Sequence, residues 1–174
     1  NSMMRHNEFY LAVPSAITEV EKRAFFSLIG HSSFKTHNAS LVEKPVAAAL
    51  GEGLDVTRAG GIMIVDMGAD TTEISIIALG GIVLSRLIKT GGNTINDAIC
   101  SEVKLRHNVI IGRKTAELLK LSLGSAIPTT ADPARAYGRD LITGLPVNVL
   151  IPDTLVYNCI TSVLEPVLDA IRGL

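Results

Sequence analysis

The chain has 174 residues, 47% hydrophobic and 19% charged, with 16 Lys and Arg against 17 Asp and Glu, so its formal net charge is −1. That composition belongs to a soluble globular protein able to bury one sizeable core or two small ones. With no basic run, few aromatics and no Trp, the chain lacks both the electrostatic footprint and the stacking platform that a nucleic-acid partner requires.

The longest apolar runs are strand-length and broken by Gly or Asp, which predicts no membrane-spanning helix and no signal peptide. Cys100 and Cys159 lie far apart without metal-ligand spacing. They are expected to be two buried thiols in a reducing cytoplasm rather than a disulfide.

Residues 9–13 read as a short apolar strand ended by Pro14, which cannot donate to a sheet ladder. A helix follows. Thr18 and Glu21 have the spacing of a capping box, Val20, Ala24, Phe25 and Leu28 recur at helical intervals, and Gly30 is placed to end the helix. Residues 39–42 form a second strand that delivers Glu43-Lys44-Pro45 to another helix, where Pro45 suits the first turn and 46–50 have high helix propensity. Gly51 and Gly53 close it, and 54–59 form a polar connector that is the best candidate for a boundary between two lobes.

The next stretch, Gly60 through Glu73, organises the chain. Residues 62–65 are apolar, mostly β-branched and bounded by glycines, which predicts a strand buried on both faces. Asp66, Gly68, Asp70, Thr71 and Thr72 then supply a turn, and 74–79 resume an apolar strand. Such a turn can offer an anion several backbone N–H groups and two hydroxyls, with a carboxylate to hold a cation or its water. Taken alone, the same residues fit an ordinary tight hairpin. A third strand over 82–88, joined by Gly80-Gly81, completes an antiparallel meander, because each link is too short for a crossover helix.

Thr90-Gly91-Gly92-Asn93 precedes Ile95, Ala98, Ile99 and Val103 at helical spacing. A glycine turn feeding a helix start is an anion- or ribose-friendly place, with Asn93 available as N-cap. Residues 113–126 read as another helix on which Glu117 and Lys120 share a face, a spacing that by itself predicts only a surface ion pair. Residues 128–133 are a Pro- and Thr-rich loop, and 137–151 give two strands around a Thr-Gly turn. The last segment, 155–174, is helical in its spacing, with Pro166 placed to kink or divide it.

These motifs, taken together, resemble the actin-like ATPase superfamily, which joins actin, the sugar kinases and the heat-shock chaperone ATPase domain. The turn at 66–72 is similar to that superfamily's second phosphate loop. The segment Val13 through Arg23 and the block Gly138-Arg139-Asp140-Leu141-Ile142-Thr143-Gly144-Leu145-Pro146 resemble the MreB family of rod-shape-determining bacterial actins. The resemblance implies an α/β, actin-like (ribonuclease H-like) fold in partial form. Residues 4–56 would be the tail of the first lobe with the interlobe helix, 57–95 the second-lobe sheet, 96–154 its outer subdomain and 155–174 a returning helix.

It further implies ATP and Mg2+ as cofactors of the full-length protein. Asp66, Gly68, Thr71, Thr72, Gly91, Gly92, Asn93, Glu117 and Lys120 would contact nucleotide, with Asp66 holding the metal through water. Glu43, one place before the family's acidic position, would be the substitute catalytic carboxylate. Self-association into filaments, cell-wall synthesis and membrane proteins as partners, and a cytoplasmic place at the inner membrane face also follow from the resemblance.

The chain departs from the family pattern at several positions. Lys44 occupies the position where an acidic residue orients the attacking water; an ammonium is a donor only and would orient it wrongly. Ala69 and Asp70 replace the second and third glycines of Asp-x-Gly-Gly-Gly-Thr-Thr, and Asn93 stands where Asp is usual. Hydrolysis is therefore expected to be slow or absent. The first phosphate loop and the far adenosine motif lie outside the sequence, so the chain is expected to be a fragment that binds ATP weakly or not at all. Competing functions are a chaperone-like or reactivase-like ATPase of the same superfamily and a nucleotide-insensitive scaffold.

Overall fold

The computed structural model describes residues 8–31 and 38–174. By internal contacts, the described residues within Asn1–Asp66 and Glu73–Leu87 form one unit, and Met67–Thr72 with Ile88–Leu174 form a second.

In the first unit, β1 (Glu8–Val13) and β2 (Asn38–Glu43) pair in parallel, from Phe9 opposite Ala39 to Val13 opposite Glu43, and α1 (Glu19–Gly30) lies between them in sequence. The expected capping box is present: Glu21 N–H donates to Thr18 Oγ1 at 3.2 Å, and Thr18 N–H donates to Glu21 Oε2 at 2.7 Å. The Thr18 N–H bond, and after it the Thr18 hydroxyl donating to Glu21 Oε2 at 2.8 Å, hold the Glu21 carboxyl below its ordinary range. The helix has no buried residue. Val20, Ala24 and Leu28, expected to form its packed stripe, are exposed, while Phe25 and Ile29 are half-buried.

Helix α2 (Lys44–Gly51) follows β2 directly, with Pro45 in its first turn. Its Ala49 is buried with Val56 and Ile77, and Val46, Ile64 and Ile82 pack around them. Val56 thus pins the connector after α2 against the sheet. That sheet has the order β3 (Ile62–Met67), β4 (Thr72–Ala78) and β5 (Gly81–Ile88), the meander that the short links dictate.

Only β4 is buried on both faces. In β3 the residues alternate, leaving Met63, Val65 and Met67 exposed, and in β5 Val83, Leu84 and Leu87 are exposed. The expectation that residues 62–65 are covered on both sides is corrected accordingly. A continuous apolar run records hydrophobicity, whereas coverage depends on which elements lie on each face, and α2 lies against one of them.

The second unit is built on one core. Helix α3 (Gly92–His107), the two-residue β6 (Val109–Ile110), α4 (Arg113–Leu123), β7 (Ala134–Asp140), β8 (Pro146–Ile151) and α5 (Asp153–Arg172) follow in order. Ile99 and Val103 of α3, Leu119 of α4, Ile151 of β8, and Leu155 and Val156 of α5 meet there. Strands β6, β7 and β8 form an antiparallel sheet in which Ile110 faces Arg139, and Arg139 faces Pro146. Gly138 is required at this crossing, because a Cβ there would sit 2.4 Å from the Ile110 carbonyl oxygen. The turn after β7 is tied by Asp140, whose Oδ1 accepts from the N–H groups of Ile142 at 2.9 Å and Thr143 at 2.7 Å.

Helix α4 ends at Leu123, earlier than the sequence suggests, with Gly124 as its C-cap. Helix α5 runs unbroken through Pro166. By length and composition alone, 20 residues at a mean hydropathy of 1.2, it would also pass for a membrane span, as core helices of soluble proteins do. Its apolar side is accounted for by the core, where Leu155, Val156, Cys159 and Ile160 are buried. Burial pushes the Cys159 thiol up to about 11, and both cysteines are free thiols.

Replacing a side chain of this core should leave a cavity. Leu155, 1% exposed, lies within it, whereas Leu168 on the same helix is 47% exposed. Leu155→Ala is expected to cost about 3 kcal/mol and Leu168→Ala less than about 1 kcal/mol, read as midpoint shifts in urea unfolding. Equal shifts would contradict the assignment of α5 as a core helix.

Candidate functional site

The turn after β3 is closed by Gly68 N–H donating to the Thr71 carbonyl at 2.8 Å. It is joined to the start of α3 through the backbone. Gly92 N–H donates to the Gly68 carbonyl at 3.0 Å and Asn93 N–H to the Ala69 carbonyl at 2.7 Å. A helix ordinarily leaves its first amides without intrahelical partners. Here the first two are taken by the loop.

This joint requires glycine at 91. A Cβ there would lie 2.6 Å from both the Gly68 and Ala69 carbonyl oxygens, which are backbone atoms and cannot swing away. Gly91 is the N-cap of α3, its N–H donating to Thr94 Oγ1 at 3.3 Å. The expectation of Asn93 as N-cap is therefore corrected. Asn93 is the second helical residue, and its side-chain amide donates to Asp70 Oδ1 at 2.9 Å.

Thr72 is 0% exposed and its hydroxyl donates to the Thr90 carbonyl at 2.7 Å, so it ties the loop to the segment between β5 and α3. Thr71 is exposed. Among the described residues, the amides of Ala69, Asp70 and Thr71 donate to no protein acceptor, and all three residues are exposed. Successive exposed amides with a neighbouring hydroxyl are donor groups of the kind that can hold an anion.

Helix α4 braces this arrangement. Lys120 Nζ donates to the Gly92 carbonyl at 3.1 Å, and Arg113 holds Asp97 of α3 through two bonds of 2.8 Å. Glu117, one turn before Lys120, is exposed, and no ion pair joins the two among the described residues. Gly68, Asp70, Thr71, Thr72, Gly91, Gly92, Asn93 and Lys120 are thus linked in one network, with Glu117 beside it on α4.

The remaining predicted residues lie in the first unit. Lys44 Nζ pairs with Asp66 Oδ2 at 2.7 Å, while Glu43 is exposed and makes no capping bond. A cation approaching Asp66 must share it with this ammonium. No group of three or more His, Cys, Asp or Glu side chains gathers among the described residues, so these side chains do not form a cation cage by themselves.

Two buried features had only faint sequence signals. Glu73, 5% exposed, accepts from Ser15 N–H at 3.2 Å, from the Ser15 hydroxyl, and from Ser85 Oγ at 3.1 Å, with Ser75 bonded to Ser85 at 3.1 Å. A charged residue inside an otherwise apolar strand was the available clue. Asn96 on α3 is 4% exposed, and its Oδ1 has no hydrogen-bond partner among the described residues.

The profile of the MreB/Mbl protein family matches residues 1–174. The chain belongs to the MreB/Mbl family. It is 35% identical over 176 aligned residues to the cell shape-determining protein MreB of Pasteurella multocida, covering 99% of this chain and 49% of that protein. MreB5 of Spiroplasma citri bound to ADP superimposes with a TM-score of 0.92 at 32% identity, over 99% of this chain and 52% of that one, and its AMPPNP complex gives 0.90. The MamK double helical filament gives 0.73 at 21% identity, over 97% of this chain and 49% of MamK, a likeness of fold. The fold is thus a partial actin-like one, and the chain spans about half the length of the relatives it matches.

The backbone joint makes a direct test possible. Gly91→Ala should destabilise the protein by about 2 kcal/mol through overpacking. Gly60→Ala, where a Cβ meets nothing within 4 Å, should stay within about 0.5 kcal/mol. Hydrogen exchange at the Gly92 and Asn93 amides should quicken in the first variant only; unchanged exchange would mean that the loop does not depend on Gly91.

Proposed function

We propose that this chain is part of an ATP-binding, filament-forming cell-shape protein of the MreB type that organises cell-wall synthesis from the cytoplasmic face of the membrane. The observation that carries the nucleotide part is the braced turn at 68–72, whose free amides at 69, 70 and 71 stand with the Thr71 hydroxyl. Such donors suit a polyphosphate, and their fixed backbone means that little ordering is required when a ligand arrives. Gly91 and Gly92 keep the neighbouring helix start close, and Lys120 and Glu117 lie on the face of α4 where a nucleoside would rest. Mg2+ would arrive with the phosphates, since the Asp66 carboxylate is already paired with Lys44. The names of the MreB relatives and the nucleotides in the MreB5 structures support this reading.

In the full-length protein, Thr71→Ala should weaken nucleotide binding about tenfold, because a hydrogen bond to a charged group is lost. Calorimetry would measure this, and sedimentation with and without nucleotide would test assembly. Failure of the full-length protein to bind either ATP or ADP would remove the nucleotide reading; failure to sediment under any condition would remove the filament reading.

The ion pair between Lys44 and Asp66 supports slow hydrolysis. An ammonium cannot accept the proton of an attacking water, and Glu43 at the adjacent position makes no capping hydrogen bond that would orient it. Lys44→Glu should raise phosphate release by about tenfold or more. Rapid release by the unmodified protein would show that the ammonium does not impair the reaction.

A further inference from the structure

We propose that Asp70, oriented by Asn93, is a specificity-determining residue that makes the loop favour a nucleoside diphosphate over a triphosphate. This rests on the nucleotide reading above and assigns the ligand class of that same loop.

The three free amides at 69–71 attract an anion, yet the middle one belongs to a residue that carries a carboxylate. A flexible exposed aspartate could turn away and leave the amides to the ligand. Asp70 is restrained, because its Oδ1 accepts from the Asn93 side-chain amide at 2.9 Å. Asn93 is itself fixed, with its N–H on the Ala69 carbonyl at 2.7 Å in the first turn of α3. Both ends of this contact are therefore anchored to the same joint.

Asp70 has no cationic partner among the described residues, so its charge is not compensated by an ion pair. Lys120 Nζ donates to the Gly92 carbonyl at 3.1 Å and forms no ion pair with Asp70 among the described residues. The identity of residue 93 matters for the same reason. An aspartate there would set two carboxylates against each other, whereas the neutral amide of Asn93 supplies the donor that Asp70 accepts from.

A phosphate group seated on the amides of this four-residue turn lies within a few ångströms of the restrained carboxylate. Like charges at such separations near a protein surface repel strongly enough to change affinity about tenfold, and a triphosphate brings more negative charge than a diphosphate. Thr71 and the free amides still bind either one. Asp70 sets the preference between them.

The test compares dissociation constants for ADP and for the non-hydrolysable triphosphate AMPPNP in the full-length protein and in its Asp70→Asn and Asp70→Gly variants. The unmodified protein should bind ADP more tightly, and both variants should shrink the AMPPNP-to-ADP ratio of dissociation constants by about tenfold, mainly by tightening AMPPNP. Asn93→Ala, which frees the carboxylate without removing it, should shrink the ratio only in part. A ratio that stays the same in both Asp70 variants, with both nucleotides bound, overturns this inference and leaves the nucleotide reading standing. Absence of binding by every protein with both ligands overturns the two together.

Discussion

The structure around the candidate site depends on two backbone hydrogen bonds, from the amides of Gly92 and Asn93 to the carbonyls of Gly68 and Ala69. They form only because residue 91 has no side chain, since even one carbon there would overlap both carbonyl oxygens. The positive end of the α3 dipole is thereby satisfied by peptide oxygens, which is a common need of helix starts. The first amides of α3 are thereby occupied, while the amides of the turn at 69–71 stay exposed.

Around this joint the second unit acts as a brace. Lys120 reaches the Gly92 carbonyl from α4, and the Arg113–Asp97 pair fastens the start of α4 to α3. Behind them, Ile99, Val103, Leu119, Leu155 and Val156 share one core. Close-packed interiors resist small displacements, so groups mounted on them keep their places. A loop held in this way is set before any ligand arrives.

Two charged residues, Lys44 in the first unit and Asp70 in the second, each meet a defined neighbour within their own unit. Lys44 is not a stray surface cation, because it is paired with Asp66. Asp70 is not a free surface anion, because Asn93 holds it. Each unusual residue thus has a specific neighbour that accommodates it. The proposed slow hydrolysis and the proposed ligand preference are two chemical consequences of these accommodations.

Local chemistry alone determined much of this protein. Helical spacing, the Thr18–Glu21 box, Pro45 and the glycine turns marked most elements, and the run Asp66 through Thr72 with Gly91-Gly92 marked the loop and its family, because such signals act within a few residues of one another. Tertiary structure decided what those residues do. Thr72 became a buried tie, Asn93 a partner of Asp70 instead of a cap, and Glu73 the centre of a serine cluster. It also left β3 covered on one face and gave α5 its core side. These outcomes depend on groups that are distant in the chain, such as Ser15 and Glu73 or Lys44 and Asp66, and no periodicity or propensity carries information about which distant donor will meet which acceptor.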